Sequence, residues 1–177
     1  MLEIVNLTPE FAIGPQIGPD DIGALRDAGF AAILNARPDD EIGTYMPSDK
    51  AERLARAAGL AYAFTPTEGH AIFEPDVIDR FEAALAELPR PIYAHCKSGT
   101  RASILWALVA ARHRDVEDAI ATLRAAGQEF DFFEDELREA AAETRDSPFR
   151  LKPDALLSLG TSRLLGDDGG ESEDGSG

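Results

Sequence analysis

The chain has a single cysteine, Cys96, in the run YAHCKSGTRAS from Tyr93 to Ser103. Lys97, Gly99 and Arg101 follow it within five residues. One apolar run ends at His95 and another begins just after Arg101, so a strand, a short loop and a helix are expected in that order. The first turn of a helix has backbone N–H groups without partners, and its dipole is positive there. A loop wrapped over that turn aims several N–H groups at one point and makes an anion site. Gly99 supplies backbone angles that a side chain forbids. Arg101 offers a planar fork matched to two oxyanion oxygens. Helix N-termini and nearby cations lower a thiol pKa from about 8.5 to roughly 3.5–7.5. The expectation is therefore a thiolate nucleophile at Cys96. Ser98 and Thr100 are placed to hydrogen-bond the sulfur or the bound anion, Lys97 adds positive charge, and His95 orients the loop. An inert buried cysteine, the structural alternative, needs none of these neighbours.

With one cysteine, no internal disulfide forms and the thiol is free. His70 and His113 are expected at the surface. Three scattered histidines give no metal-ligand spacing, so no metal or cofactor is expected. The formal net charge of −16 argues against nucleic acid and anionic membranes as partners. No apolar run approaches the roughly 20 residues that cross a bilayer. The N-terminus, MLEIVNLTPE, lacks a basic region followed by an apolar stretch, so no signal peptide is expected and the reading is cytoplasmic.

The elements that must position the cysteine alternate in type. LEIVNLTPEFAI reads as two short strands around a turn. GPDDIGALRDAGF reads as a helix with Pro19 near its start and Gly29 past its end. AAILNA and AYAFTP have strand length, and between them Ser48 is expected to cap a helix running through Ala58. EPDVIDRFEAALAELP places Val77, Ile78, Phe81, Leu85 and Leu88 on one helical face. PIYAH is a strand, and ASILWALVAARH, apolar nearly all round, is a buried helix. DVEDAIATLRAAG and FDFFEDELREAAAE are two more helices. This alternation predicts an α/β fold, a three-layer sandwich with a mainly parallel central sheet flanked by helices. Ligands of such sheets sit outside the carboxyl ends of the strands. A catalytic domain is expected over 1–145, a C-terminal segment over 146–165 and a disordered acidic tail over 166–177.

The run HCKSGTRAS resembles the phosphate-binding loop of cysteine-dependent protein tyrosine phosphatases. Together with ILNARPDDE and the helix before the loop strand, it resembles the bacterial beta-lactamase-hydrolase-like phosphatase family, itself similar to dual-specificity phosphatases. The likeness covers roughly Leu2 to Arg112. It implies a phosphocysteine intermediate on Cys96, an acid on another loop, and anion binding by Arg101. Glu68, in TPTEGHAIFE, is the candidate acid, with His70 as runner-up. Arg37 is a candidate for the anionic edge of the substrate, and Asp39 a second acid. Asp39 after Pro38 is also an ordinary turn residue.

Four residues separate Cys96 from Arg101, where tyrosine phosphatases have five. Four is also the spacing of many rhodaneses, which carry a persulfide. Ala102 stands where those phosphatases have Ser or Thr. Three readings follow: a phosphatase acting on phosphotyrosine or a small aryl phosphate, a sulfurtransferase with a persulfide on Cys96, and an oxyanion-binding module with weak turnover. The partner in each case is a small phosphorylated or sulfur-donor substrate.

Overall fold

The computed structural model describes residues 2–128, 131–143 and 151–160. The expected tail at 166–177 lies outside them. Five strands form one sheet in the order β1-β2-β5-β3-β4. The hairpin of β1 (Val5–Thr8) and β2 (Phe11–Gly14) is antiparallel, and β2, β5 (Ile92–His95), β3 (Ala32–Asn35) and β4 (Ala61–Phe64) run parallel. The four parallel strands therefore put their carboxyl ends on one side of the molecule, where Gly14, His95, Asn35 and Phe64 lie in register.

Alternation along the strands builds two cores. Ile33, Tyr62 and Tyr93 face α1 (Pro19–Asp27) and α2 (Ser48–Ala57), packing with Ile22, Leu25, Ala51 and Ala55. Their neighbours Leu34, Ile92 and Ala94 face the other way. There they meet α3 (Pro75–Glu87) and α4 (Thr100–Ala110), with α5 (Val116–Ala125) and α6 (Asp131–Glu143) outside. This is the expected three-layer arrangement.

Helix α4 is buried on every side from Ala102 to Ala110. It is the central pillar of the larger core. The polar cluster at its far end is tied down: Glu82, fully buried on α3, accepts from Arg112 at 2.7 Å and lies 3.0 Å from His113 Nε2. His113 is thus mostly buried against a carboxylate, not at the surface as expected, because its partner lies 31 residues away in sequence.

The run FRLKPDALLSLG contributes a short docked helix, α7 (Pro153–Ser158). The Ser158 carbonyl accepts from Trp106 Nε1–H and from the Thr8 hydroxyl, both at 3.1 Å. Leu159 O accepts from Arg114 at 2.8 Å. These bonds join the segment to β1 and α4.

Candidate active site

The Cys96 loop runs from the end of β5 into the start of α4. Gly99 is the cap residue and takes φ +103°, the left-handed region. A Cβ there would also crowd the Gly14 carbonyl oxygen at 3.2 Å, which adds to the preference for glycine set by the backbone angle. The loop is tied to the end of β2 by the Gln16 N–H, which donates to Lys97 O at 3.1 Å. With its turn so closed, the Gly99 N–H donates to Cys96 Sγ at 3.1 Å. The first helical bond, Ser103 N–H to Gly99 O, follows immediately. Cys96 therefore sits at the N-terminus of α4 with a backbone donor on its sulfur.

The residues around it differ in exposure. Cys96 itself is only 1% exposed. Lys97 and Ser98 are exposed, and the Ser98 and Thr100 hydroxyls lie 3.1 Å apart. His95 is buried with Nδ1 3.2 Å from the Cys96 carbonyl oxygen. Burial pushes its pKa down to about 4, with the neighbouring Arg37 charge working the same way. A neutral ring donating from Nδ1 braces the Cys96 carbonyl. The Ser103 hydroxyl donates to Thr100 O at 2.7 Å, back along its own helix and away from the sulfur.

Arg101 is the most informative side chain. Its Nη1–H and Nη2–H groups grip Glu41 end-on at 2.6 and 2.8 Å. The second Nη1–H donates to Thr67 O at 2.8 Å. A guanidinium has five N–H donors in a rigid plane. Three are thus engaged, leaving Nε–H and one Nη2–H, which share the side edge of the plane and form a second fork. Burial opposes the Arg101 charge, but Glu41 and the Cys96 sulfur outweigh it and raise the pKa above the usual arginine value. The guanidinium is held from behind by Glu41 and Thr67, with Cys96 beside it.

Glu41 was not singled out by motif reasoning. It belongs to the loop between β3 and α2, and its pKa is held below the usual carboxylate value, first by Arg101 and also by Arg37. Arg37 is 3% exposed and binds within this loop and to Gln16. Its Nε–H donates to Glu41 at 3.1 Å, its Nη2 to Ile42 O at 3.0 Å, and its Nη1 to Gln16 Oε1 and Gly43 O. Gln16 Nε2 in turn donates to Gly43 O at 3.0 Å. Arg37, expected at the anionic edge of the substrate, is bonded to Glu41, which holds Arg101, and to Gln16, whose N–H holds the Lys97 carbonyl.

The two expected acids lie at the rim. The Asp39 carboxylate accepts from Ser48 N–H at 2.8 Å and from its hydroxyl at 2.6 Å, so Asp39 caps α2 and Ser48 is the capped residue rather than the cap. Glu68 is 58% exposed and lies 3.2 Å from His70 Nε2. It follows directly on Thr67, whose carbonyl holds Arg101. Among the described residues no cluster of His, Cys, Asp and Glu could hold a metal ion. No described helix is long and apolar enough to cross a membrane.

This geometry can be set beside known proteins. Residues 3–113 match the family model of the beta-lactamase hydrolase-like protein, phosphatase-like domain. The chain belongs to that family. A beta-lactamase hydrolase-like protein of Xylella fastidiosa is 39% identical over 107 residues, 60% of this chain and 25% of that protein. One from Agrobacterium fabrum is 36% identical over 122 residues, 66% of this chain and 28% of that protein. The chain thus spans about a quarter of the length of these relatives. Among solved structures, a candidate phosphatase of Neisseria meningitidis is 26% identical with a TM-score of 0.68, covering 77% of this chain and 97% of that one. Kinase associated phosphatase, solved with serine in place of its catalytic-site cysteine, superposes with a TM-score of 0.65 at 15% identity over 81% of this chain and 95% of its own. The fold is that of the cysteine phosphatases.

Proposed function

We propose that the chain is a cysteine-dependent phosphatase acting on phosphotyrosine or another aryl phosphate. The observation that carries the reading is Arg101, gripped from behind so that one two-donor edge remains for an oxyanion beside Cys96. In the first step the Cys96 sulfur attacks phosphorus. The S–P bond forms, the bond from phosphorus to the aryl oxygen breaks, and that oxygen takes a proton from an acid at the rim. In the second step water attacks phosphorus and gives a proton to the carboxylate left by the first step, the S–P bond breaks, inorganic phosphate leaves and the Cys96 sulfur is released as it began. Backbone N–H groups of the loop and the Arg101 fork meet the charge on the equatorial oxygens in both steps. Glu68 and Asp39 are the acids within the rim; freeing either from its present partner is part of substrate binding in this reading.

The family membership and the cysteine-phosphatase fold support the same reaction class. The test is phosphate release from p-nitrophenyl phosphate. Wild type releases phosphate and Cys96→Ser does not; equal rates for the two proteins would refute the reading.

One observation favours a second reading, a rhodanese-like sulfurtransferase. Only Lys97, Ser98, Gly99 and Thr100 separate the sulfur from Arg101, and both expected acids are engaged elsewhere. Persulfide transfer needs an anion site but no acid. Thiocyanate formed from thiosulfate and cyanide, in the absence of phosphate release, would select it.

A further inference from the structure

The end of β2 and the two residues after it are fixed against the Cys96 loop. A side chain at Gly14 would collide with the Tyr93 hydroxyl and the Glu3 carbonyl, so this strand end is packed closed. The Pro15 carbonyl accepts from the Tyr93 hydroxyl at 2.7 Å, and the Gln16 N–H donates to Lys97 O at 3.1 Å. The backbone of Gln16 is thus held to the residue that follows Cys96.

From that base the Gln16 side chain reaches the other loop, and both ends of its amide are used there. Oε1 accepts from Arg37 Nη1–H and from the Tyr45 N–H, the latter at 3.1 Å. Nε2–H donates to Gly43 O at 3.0 Å. One orientation of the amide satisfies all three partners, two donors at its oxygen and a carbonyl at its nitrogen. These partners bracket Glu41 in the chain. Arg37 also donates to Glu41 at 3.1 Å, and Gly43 and Tyr45 follow Glu41 closely. Glu41 grips Arg101 at 2.6 and 2.8 Å. The bonds therefore close a ring: Lys97 to Gln16, Gln16 to the residues around Glu41, Glu41 to Arg101, and Arg101 back through its own loop to Lys97.

We infer that Gln16 is a positioning residue of the oxyanion site: its amide fixes the loop that contains Glu41 against the Cys96 loop and so sets where the Arg101 fork stands beside the sulfur. This rests on the reading of Cys96 and Arg101 as the phosphate site. Gln16 acts through Glu41 and takes no part in bond making. A side-chain substitution leaves the Gln16 N–H bond to Lys97 in place, so it opens the ring without dismantling the Cys96 loop.

The experiment measures orthovanadate affinity by calorimetry together with kcat/KM on p-nitrophenyl phosphate. Gln16→Met keeps the length and removes the amide, and both quantities should fall about tenfold. Gln16→Glu keeps an oxygen for Arg37 and Tyr45 but loses the donor to Gly43, and should fall about threefold. Alkylation of Cys96 by iodoacetamide should change by less than about twofold in either variant. A double-mutant cycle identifies the route. In a Glu41→Gln background, Gln16→Met should cost about twofold or less, because the two residues act on Arg101 in series. Full multiplication of the two losses overturns the inference, as does unchanged vanadate affinity in both Gln16 variants. A loss of alkylation as large as the loss of affinity overturns it too, since Gln16 would then support the Cys96 loop rather than the fork. Wild type that binds vanadate but releases no phosphate removes the phosphatase reading, and the affinities alone then decide the role of Gln16. Wild type that does neither removes both.

Discussion

Two loops at the carboxyl edge of the sheet each contain an arginine, and they are built in opposite ways. The loop from Cys96 to Arg101 is made by backbone: a left-handed glycine, a main-chain donor on the sulfur and a helix that starts at once. The loop from Arg37 to Pro47 is made by side chains: Arg37, Glu41 and Gln16 hold it through bonds to one another and to the carbonyls of Ile42 and Gly43. The first loop presents the Cys96 sulfur, the proposed nucleophile. The second aims the guanidinium that the first provides. A motif of adjacent residues thus defines the chemistry, while an arginine and a glutamate from elsewhere in the chain fix its geometry.

If this division is right, substitutions should rank by how directly they touch the reacting centre. Cys96→Ser should remove phosphate release to background. Arg101→Lys should fold normally and lose about 10²–10³ in kcat, because an ammonium can satisfy neither the Glu41 pair nor a second two-donor edge. Next comes Glu41→Gln, which keeps the size but weakens the grip from behind. A loss of about 10² in kcat/KM is expected, with orthovanadate inhibition weakened in parallel. Increased activity in that variant would mean Glu41 obstructs the fork rather than aims it, and would break the comparison. Arg37→Lys should cost about tenfold, since it acts on the fork through Glu41 and Gln16. A loss in Arg37→Lys as large as that in Arg101→Lys would show Arg37 to touch the substrate after all.

The smallest effect concerns His95 and appears in stability rather than rate. Its pKa falls from about 6.5 to about 4 on folding, chiefly by burial. The unfolded chain therefore binds a proton that the native state refuses. The contribution to stability is fully present above about 6.5 and is lost progressively as pH falls toward 4. Thermal unfolding followed between pH 7 and 4.5 should show Tm falling, and His95→Asn should flatten that fall. The window stays above the lowered pKa of Glu41, whose protonation at lower pH would release Arg101.

The same contrast explains what could be read from the chain beforehand. Short apolar runs between Gly and Pro breaks announce β3, β4 and β5, and the continuous apolar face of ASILWALVAARH announces α4 as the buried pillar. Cys96, Gly99 and Arg101 are legible because their cooperation is local. Glu41 is not legible in this way: its partner is 60 residues distant, and nothing in PDDE distinguishes it from its acidic neighbours. Ser48, expected as the cap of α2, is instead capped by Asp39 for a similar reason. A serine at a helix start suggests a cap, yet the carboxylate nine residues earlier folds back and supplies it. His113 is drawn inward by Glu82, another pairing invisible to local pattern.

The most direct measurement is a denaturing quench of the protein during turnover of an aryl phosphate, followed by mass analysis of the peptide containing Cys96. The phosphoryl group should be found on Cys96 in wild type, at lower occupancy in Arg101→Lys, and absent in Cys96→Ser. A wild-type peptide that never carries phosphorus while phosphate is being released, or one that carries added sulfur instead, would contradict the account.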